Sequence, residues 1–595
     1  MATSVTIVIA YMAMSVYAQQ GAEQQEAARM AYYGTMQMDY AHYMLIAMAS
    51  IVTLFFIWKT ALRFTFHLRH LYAQANENQR YFARNDYHMA LLKRYLVDAP
   101  LFRTRHNREF QLFHAVNLGS LPNRFQAICL AGLIAMNVSL CVLNIPFSDR
   151  KSYPELLRNR TGTLAVTNLI PMVILVGRNN PLIPLLGLSF DTWNFFHRWI
   201  ARIAALEGIA HMLTFVVAEV KQSGWAALAK AIQGHRQITT GLIIIVGFVS
   251  LVLTGASPLR HAFYETFLHV HILLVLMTFV TLWYHLQDMP QQKYLLATLV
   301  LWVAELAVRL IINVYRNLIG GKTTAKVEAL PGDASRITLK LARPWTVRPG
   351  QHVYICIPSI GLWTFHPFSV AWSEKQQALT DEKGLVMTQQ DVVSTQTETI
   401  SLLVRRRTGF TDRLYKHASK GIDGQAHLSA FVEGPYGEIH NLDSYGTVVL
   451  FAGGVGITHH IPFIRHLARG YADGVVAARR VTLIWTIKSP EHLEWVRPWM
   501  NTILQMDRRR EILRIMLFIT RPRSTNEIRS PSSTIEMFSG RPNIQTVLDK
   551  EIEQQIGAMG VMVCGSGALS DDVRHACRQR QVSSNIDYIE ESFSW

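Results

Sequence analysis

Four histidines fall into two pairs of equal spacing: His197 with His211, and His271 with His285, fourteen residues apart in each case. Each pair lies in an apolar run long enough for a membrane helix. Fourteen residues return to within ~40° of the same helix face and stand ~21 Å apart along the axis. Each helix therefore presents one imidazole towards either end of its span. Both spans run in the same direction, so His197 should face His271 at the inner side and His211 should face His285 at the outer side. Two facing imidazoles fill both axial positions of a haem iron, which favours electron transfer over oxygen binding at the metal. Ordinary core histidines would explain one such residue more easily than two matched pairs. His269 serves as a control: it lies sixteen residues from His285, ~160° round the helix, on the wrong face. Arg178, Arg198 and Arg202 are candidates for meeting haem propionates, or else they mark the cytosolic side by their charge.

A second group lies further along. His366-Pro367-Phe368-Ser369 follows a β-rich run and is similar to a flavin-reductase pattern, in which the aromatic covers the flavin ring and the hydroxyl bonds near its reactive nitrogen. Arg405-Arg406-Arg407-Thr408-Gly409-Phe410-Thr411 strengthens it. A Gly409–Thr411 turn that opens a helix offers backbone N–H groups to a pyrophosphate, and Arg405 adds a forked donor. The third group is Gly453-Gly454-Val455-Gly456-Ile457-Thr458, directly after an apolar strand. Glycines there let backbone approach phosphate at a helix N-terminus. Cys564-Gly565 ends another strand, where a thiol can lie over a nicotinamide, or be a buried strand-end cysteine. Lys488 and Arg521 could meet a 2′-phosphate, or be surface charges.

These groups must be carried by two kinds of structure. Half of the 595 residues are hydrophobic, and the apolar residues come in long runs, so membrane spans are expected rather than large soluble cores. Seven spans are read: Ala41–Leu62, Arg124–Ile145, Leu164–Leu188, Asn194–Val220, Thr239–Ser257, Tyr264–His285 and Lys293–Tyr315. The third is interrupted by Gly177–Pro181 and Pro184, polar backbone that is either a site wall or an interfacial loop. Residues 1–20 resemble a secretory signal, the alternative being an uncleaved first span. The net charge of +16 is concentrated in places such as Lys59–Arg108, a solvated cytosolic segment by the positive-inside rule, and no nucleic-acid motif accompanies it. Asn159-Arg160-Thr161 is a glycosylation sequon expected in an outside loop. The five cysteines form no expected disulfide.

From about Gly321 the chain changes character. Val353–Ile357 and Ser401–Val404 read as strands of a small FAD-binding β-barrel. After Tyr445, strands at Val448–Ala452, Val481–Trp485, Met516–Thr520 and Val561–Cys564 alternate with helices, as in an α/β NADPH-binding domain. Two polar stretches, Ser373–Thr397 and Arg523–Pro542, read as surface insertions. The expected organisation is a signal at residues 1–20, N-terminal spans at 21–163, a helical haem domain at 164–320, the barrel at 321–442 and the α/β domain at 443–595.

Taken together, the four histidines, Arg178-Asn179-Asn180-Pro181, Phe195–Trp199, Tyr264–Phe267, His366–Ser369, Gly453–Thr458 and Cys564-Gly565 resemble the ferric reductase and NADPH oxidase superfamily, most closely the fungal ferric-chelate reductases. The ending Glu591-Ser592-Phe593-Ser594-Trp595 is similar to the family's acidic–aromatic terminus, where Phe593 or Trp595 would cover the flavin. Ser369 stands where threonine is commoner, and calcium-binding loops of some oxidases are absent. The resemblance implies FAD, NADPH and two b-type haems, with electrons leaving NADPH for an extracellular ferric chelate, or a cupric one. A superoxide-generating oxidase is the alternative. It further implies a multi-pass protein of the plasma membrane or the vacuolar membrane, with the dehydrogenase half in the cytosol, working beside an iron-uptake permease or oxidase.

Overall fold

The computed structural model describes residues 2–75, 79–112, 116–117, 119–149, 152–362, 364–376, 397–522, 528, 530 and 532–591. Phe593 and Trp595 lie outside the described residues. The chain divides into two compact units, one of Met1–Leu54, Leu130–Val176 and Phe195–Val303, the other of Phe55–Cys129, Gly177–Asn194 and Ala304–Trp595.

Apart from the short helices Tyr87–Leu92 and Ser257–Ala262, the helices in chain order are α1 (Ala2–Ala75), α2 (Arg124–Val142), α3 (Tyr153–Thr167), α4 (Leu169–Ile174), α5 (Leu182–Leu186), α6 (Phe190–Gly234), α7 (Arg236–Thr254), α8 (Tyr264–His285) and α9 (Gln292–Asn317). Among the described residues, six are long and apolar enough to cross a membrane: α1 over Ala31–Gln74, α2, α6, α7, α8 and α9. The third expected span is different. Instead of one helix over Leu164–Leu188, α3 starts earlier at Tyr153 and breaks at Asn168, just ahead of Pro171. A proline cannot donate its N–H and crowds the preceding turn, so the helix gives way there. Asn159 consequently sits inside α3 and not in a loop. Thr161 is buried, with its hydroxyl bonded to the carbonyls of Leu157 and Arg158, so this sequon lacks the accessible loop that glycosylation uses.

The first unit packs through Ala41 of α1, Val166 of α3, Leu169 of α4, Ala204 of α6, Ile244 of α7, and Phe279 and Leu282 of α8. Leu206, Leu273 and Val280 are exposed, as suits side chains that meet lipid. Helix α6 ends at Gly234, and His235 with φ −115° and ψ 114° separates it from α7. Close approach of α7 to α8 depends on Gly247, where a Cβ would come within 2.4 Å of the Thr278 hydroxyl.

After α9 the second unit runs through β1 (Thr324–Leu330), β2 (Ala334–Lys340), β3 (His352–Cys356), β4 (His366–Gln376), β5 (Thr397–Arg405), then α10 (Phe410–Ser419), β6 (Gln425–Ser429) and β7 (Phe431–Tyr436). They form an antiparallel sheet in the order β6-β1-β2-β5-β4-β3-β7. The two end strands are consecutive in the chain, separated by Ala430 alone, so one stretch passes from one edge of the sheet to the other and curls it round. The alternating apolar residues Ala325, Val327, Ile337, Leu339, Val353, Ile355, Ile400 and Leu402 fill the interior.

Beyond it run β8 (Thr447–Gly453), α11 (Ile457–Ala472), β9 (Arg480–Ile487), β10 (Leu513–Ile519), β11 (Ile535–Ser539), β12 (Met559–Cys564), α12 (Gly567–Arg580) and β13 (Ile586–Glu591). This sheet is parallel throughout, in the order β11-β10-β9-β8-β12-β13. Strands β8 and β12 are buried along nearly their whole length, and apolar from Val448 and Met559 onwards, because helices cover both faces. Of the expected insertion Ser373–Thr397, residues 377–396 lie outside the described residues, whereas the other, Arg523–Pro542, contains the edge strand β11. The basic segment Lys59–Arg108 is not simply solvated. Arg69 and Lys93 converge on Asp587 at 3.6 and 2.6 Å, Gln79 donates to the Ala477 carbonyl, and three successive N–H groups, His106 to Arg108, bond the Asp571 carboxylate. Its charges are used as fasteners to the α/β domain.

Candidate functional site

In the first unit, His197 and His211 lie on α6, on the same side of its kink at Gly224, and His271 and His285 lie on α8. The rings of His211 and His285 face each other with centroids 6.2 Å apart and planes at 85°. Three of the four Nδ1 atoms are held by backbone carbonyls: His197 by Met172 at 2.9 Å, His211 by Arg158 at 2.8 Å and His285 by Gln237 at 2.9 Å. An Nδ1–H donated to a carbonyl fixes the tautomer and leaves Nε2 with its lone pair outward. The Nδ1 of His271 is buried with no hydrogen-bond partner, and its ring packs 5.4 Å from Phe267. His269 is exposed and bonds the Glu265 carbonyl of its own helix.

Two glycines that the sequence reading did not single out make room for these rings. A Cβ at Gly162 would lie 2.6 Å from the His211 Nδ1, and one at Gly241 would lie 3.2 Å from the His285 Cε1. Spacing could have flagged Gly162, since it follows the Arg158 carbonyl by one helical turn. Among the described residues no group of three or more His, Cys, Asp and Glu is arranged to hold a bare metal ion. Of the expected propionate partners, Arg202 stacks at 4.8 Å on Trp199 of its own helix. Arg178 belongs to the second unit, where it lies 3.7 Å over the Tyr354 ring and 3.6 Å from Glu433.

That second-unit pocket is lined by Arg178, His352, Tyr354, Tyr436, Glu438 and Glu591, among others. Strand register explains it: His352 pairs with Ser369 and Tyr354 with Pro367, so these four share one face of β3 and β4. Phe368 pairs with Val353 and packs, half-buried, on the barrel interior. Glu433 is almost fully buried and gathers Arg309 at 2.9 Å and the Tyr436 hydroxyl at 2.7 Å. Burial, with the nearby Arg178 charge, holds the His352 imidazole down at about 3, so it is neutral at physiological pH. Burial and the surrounding carboxyls of Glu438 and Asp191 push Glu591 well above the carboxylate range, leaving a proton on it.

His366 stacks on Phe410 at 4.3 Å. Phe410 opens α10, and Gly409 before it has φ +73°, a conformation that glycine supports without strain. Thr411 turns its hydroxyl back to accept from the Arg407 N–H at 2.9 Å. Arg405 ends β5 exposed, whereas Arg406 is tied to Asp412 and Asp333.

At the C-terminal edge of the parallel sheet, Gly453-Gly454-Val455-Gly456 turns from β8 into α11, and Cys564-Gly565 turns from β12 into α12. The two turns touch: a Cβ at Gly456 would lie 2.2 Å from the Cys564 carbonyl oxygen, and one at Gly565 would lie 3.1 Å from the Gly453 Cα. Strand order reverses between β8 and β12, and a doubly wound sheet binds its ligand at such a point. Thr458 is buried and donates to the Val455 carbonyl at 2.9 Å. Burial, and then Glu591 and Glu590, raise the Cys564 thiol far above its ordinary value, so it stays protonated. Lys488 and Arg521 are exposed neighbours at the ends of β9 and β10, the Arg521 N–H donating to the Lys488 carbonyl.

A helical membrane half followed by FAD- and NAD(P)H-binding domains defines a membrane-bound flavin–nicotinamide oxidoreductase. Three family models match in order: the ferric reductase like transmembrane component over residues 161–282, an FAD-binding domain over 319–440 and the ferric reductase NAD binding domain over 445–578. The chain belongs to the ferric reductase family. Its relatives include a ferric/cupric reductase transmembrane component 2 of Saccharomyces cerevisiae, 23% identical over 83% of this chain and 70% of that protein. Another is a probable ferric reductase transmembrane component of Candida albicans, 26% identical over 85% and 76%. Among solved structures, a ferredoxin reductase of carbazole 1,9a-dioxygenase covers 46% of this chain and 68% of its own, at 14% identity and a TM-score of 0.31.

Proposed function

We propose that this protein carries electrons from cytosolic NADPH, through FAD and two b-type haems, across the plasma membrane to extracellular ferric chelates, with cupric chelates as a second class of acceptor. The observation that carries the reading is the pair of facing imidazoles, His211 and His285, 6.2 Å apart with both Nδ1 atoms tied to carbonyls. Two metal–imidazole bonds of about 2 Å, plus roughly 1 Å from each nitrogen to its ring centre, total about 6 Å. The residues therefore fit an iron held between them. His197 and His271 supply the second pair, and the orphaned Nδ1 of buried His271 is a polar atom in need of a partner.

When bound, the flavin converts a two-electron hydride into single electrons, and the haems pass them on one at a time. The chain contributes position and charge. Gly453, Gly454 and Gly456 let backbone approach a pyrophosphate, with Thr458 bracing the turn. Cys564, kept as a neutral thiol, packs against a nicotinamide without repelling its hydride. Gly409 and Thr411 present helix N–H groups to the FAD pyrophosphate, with Arg405 beside them. Pro367 and Ser369, on the pocket face of β4, wall the flavin, while His366 on Phe410 and Phe368 on the barrel interior brace the strand from its other face, and neutral His352 with protonated Glu591 offers hydrogen-bonding groups at the pocket's edge. The relatives named for ferric or cupric reduction support the choice of acceptor. Iron delivered in ferrous form suits a neighbouring permease or oxidase as partner.

The test is NADPH-driven reduction of a ferric chelate by oriented membrane vesicles, with and without superoxide dismutase. Ferrous iron that forms regardless of the dismutase supports the reading. Signal abolished by it would make oxygen the acceptor and the protein an oxidase.

A further inference from the structure

Between the two histidine levels of α6 lies a buried polar cluster that the electron path described above does not use. Glu207 is 6% exposed and stands ten residues after His197 and four before His211. One carboxylate oxygen accepts from the Asn168 amide at 2.9 Å, and the other faces the Cys141 thiol at 3.9 Å. Asn168 also donates to Asn137 at 2.8 Å, and Asn137 donates to the Leu133 carbonyl. The cluster thus ties α2, the break between α3 and α4, and α6. The Asn168 carbonyl oxygen is buried with no partner.

Among the described residues, no cation pairs with this carboxyl. The groups that face it are few: Cys141 from α2, the Asn168 amide from the helix break, and, next to Cys141, the Arg160 charge from α3. The Arg160 guanidinium is engaged by Gln37 and by the Leu140 carbonyl. The α7 residues beside Gly208 are the apolar Phe248 and Ile245. On its own helix the next titratable group is His211. An isolated carboxylate at membrane depth is costly, and ionisable residues kept there mark electron, proton or ion traffic.

We infer that Glu207 is a redox-linked proton site for the electron centre between His211 and His285. A haem held by His211, which stands one helical turn (about 6 Å of rise) from Glu207, would when oxidised carry a positive charge that stabilises the carboxylate. Arrival of one electron would remove that charge, and the Glu207 carboxylate would take up one proton from water to become the acid. One electron and one proton enter together, so the buried net charge is unchanged. Departure of the electron to the acceptor releases the proton. Asn168 is suited to both states, since its amide donates to the carboxylate and its orphaned carbonyl oxygen can accept from the acid after a rotation of the side chain.

The inference rests on the two-haem reading. It is tested on the whole purified protein by spectroelectrochemical titration of the haem midpoint potentials between pH 6 and 9, in wild type and Glu207→Gln. The expected result is one haem whose potential falls as pH rises in the wild type and stays at its acid-limb value in Glu207→Gln. The other haem should behave alike in both. A pH slope shared by both proteins, or none in the wild type, would overturn the inference while leaving the two-haem reading intact. Lack of any bis-histidine b-type spectrum would overturn that reading itself. Should Glu207→Gln fail to fold, infrared difference spectra of the wild type decide: a protonated carboxyl band must appear on reduction and vanish on reoxidation, and its absence refutes the role.

Discussion

On the proposed two-haem reading, replacing Gly162 by alanine should empty the site between His211 and His285 and leave the other. The added Cβ would lie 2.6 Å from the His211 Nδ1, 3.1 Å from its Cε1 and 3.3 Å from its Cγ. Ordinary contact begins near 3.4 Å, so the ring must retreat by about 0.8 Å or tilt. Either movement breaks the 2.8 Å bond to the Arg158 carbonyl that sets the ring's orientation. That bond has a net worth of about 1 kcal/mol, and losing such a support lowers metal affinity by about 10- to 100-fold. Backbone effects act the other way, because alanine inside α3 favours the helix over glycine by roughly 1 kcal/mol. The fold should therefore survive while the site fails. Haem-to-protein ratio by pyridine haemochrome, with reduced-minus-oxidised spectra, should fall from two towards one, with FAD retained. Ferric-chelate reduction should be lost while NADPH-driven reduction of a soluble dye by the flavin persists. Two haems with unchanged spectra would refute the placement of His211 as a ligand.

Other consequences follow from the second unit. Cys564→Ala should slow flavin reduction by NADPH on the order of tenfold in stopped flow without loss of FAD, since it removes a group that orients the reacting rings. Gly456→Ala puts a Cβ 2.2 Å from the Cys564 carbonyl oxygen, and overpacking backbone there should cost about 1–3 kcal/mol, read as a lower Tm and weaker NADPH protection against unfolding. Burial pushes the Asp98 carboxyl up to about 6, although Gln581 donates to it. Its folded pKa lies above the unfolded value, so its contribution is full below about pH 4 and is lost as pH rises through 6, on the order of 3 kcal/mol by pH 8. Asp98→Asn should flatten that part of the stability profile in thermal melts.

The chemistry was more legible than the architecture that carries it. Histidines spaced by fourteen announce themselves, because a helix converts that number into one face and one distance. Glycines in Gly453–Gly456 and a strand-end Cys564 are equally local signals. Span count was not local. Leu164–Leu188 is apolar enough to read as one helix, yet Pro171 breaks it and α3 starts eleven residues earlier, through a polar stretch whose Arg160 is buried against Gln37 and Tyr40. Nothing in the polarity of Tyr153–Thr163 predicts that its charge would be satisfied inside the bundle. The same holds for Lys59–Arg108: its cations look solvated until Asp587, far along the chain, is seen to receive Arg69 and Lys93, while Asp571 takes the backbone N–H groups of His106 to Arg108. The barrel's first strands are less legible because Thr324–Leu330 and Ala334–Lys340 alternate polar with apolar residues, a weaker signal than the continuous runs of the parallel sheet. The motif leads one to expect Phe368 over the flavin, but pairing with Val353 turns it to the barrel interior, since a strand's register decides which face a side chain takes.

The broken helix also explains why the third segment could not be one straight span. The Met172 and Arg158 carbonyls that hold His197 and His211 are fourteen residues apart, like the histidines they serve, and run in the opposite direction along the chain. An antiparallel neighbour of α6 thus supplies one acceptor at each level. A carbonyl within a continuous α-helix already accepts from the N–H four residues on, and here the α4 end frees one: the Val176 N–H turns to Val173, leaving Met172 to His197. At the other level the Arg158 carbonyl stays inside α3 and gives the imidazole its second lone pair, which requires the ring to come close, and Gly162 is what permits that approach. Asn168, placed at the break itself, spends its side chain on Glu207 and Asn137. The kink, the glycine and the buried amide are therefore one device: each exists because a helix that must present carbonyls and polar groups to its neighbour cannot also keep all of them for itself.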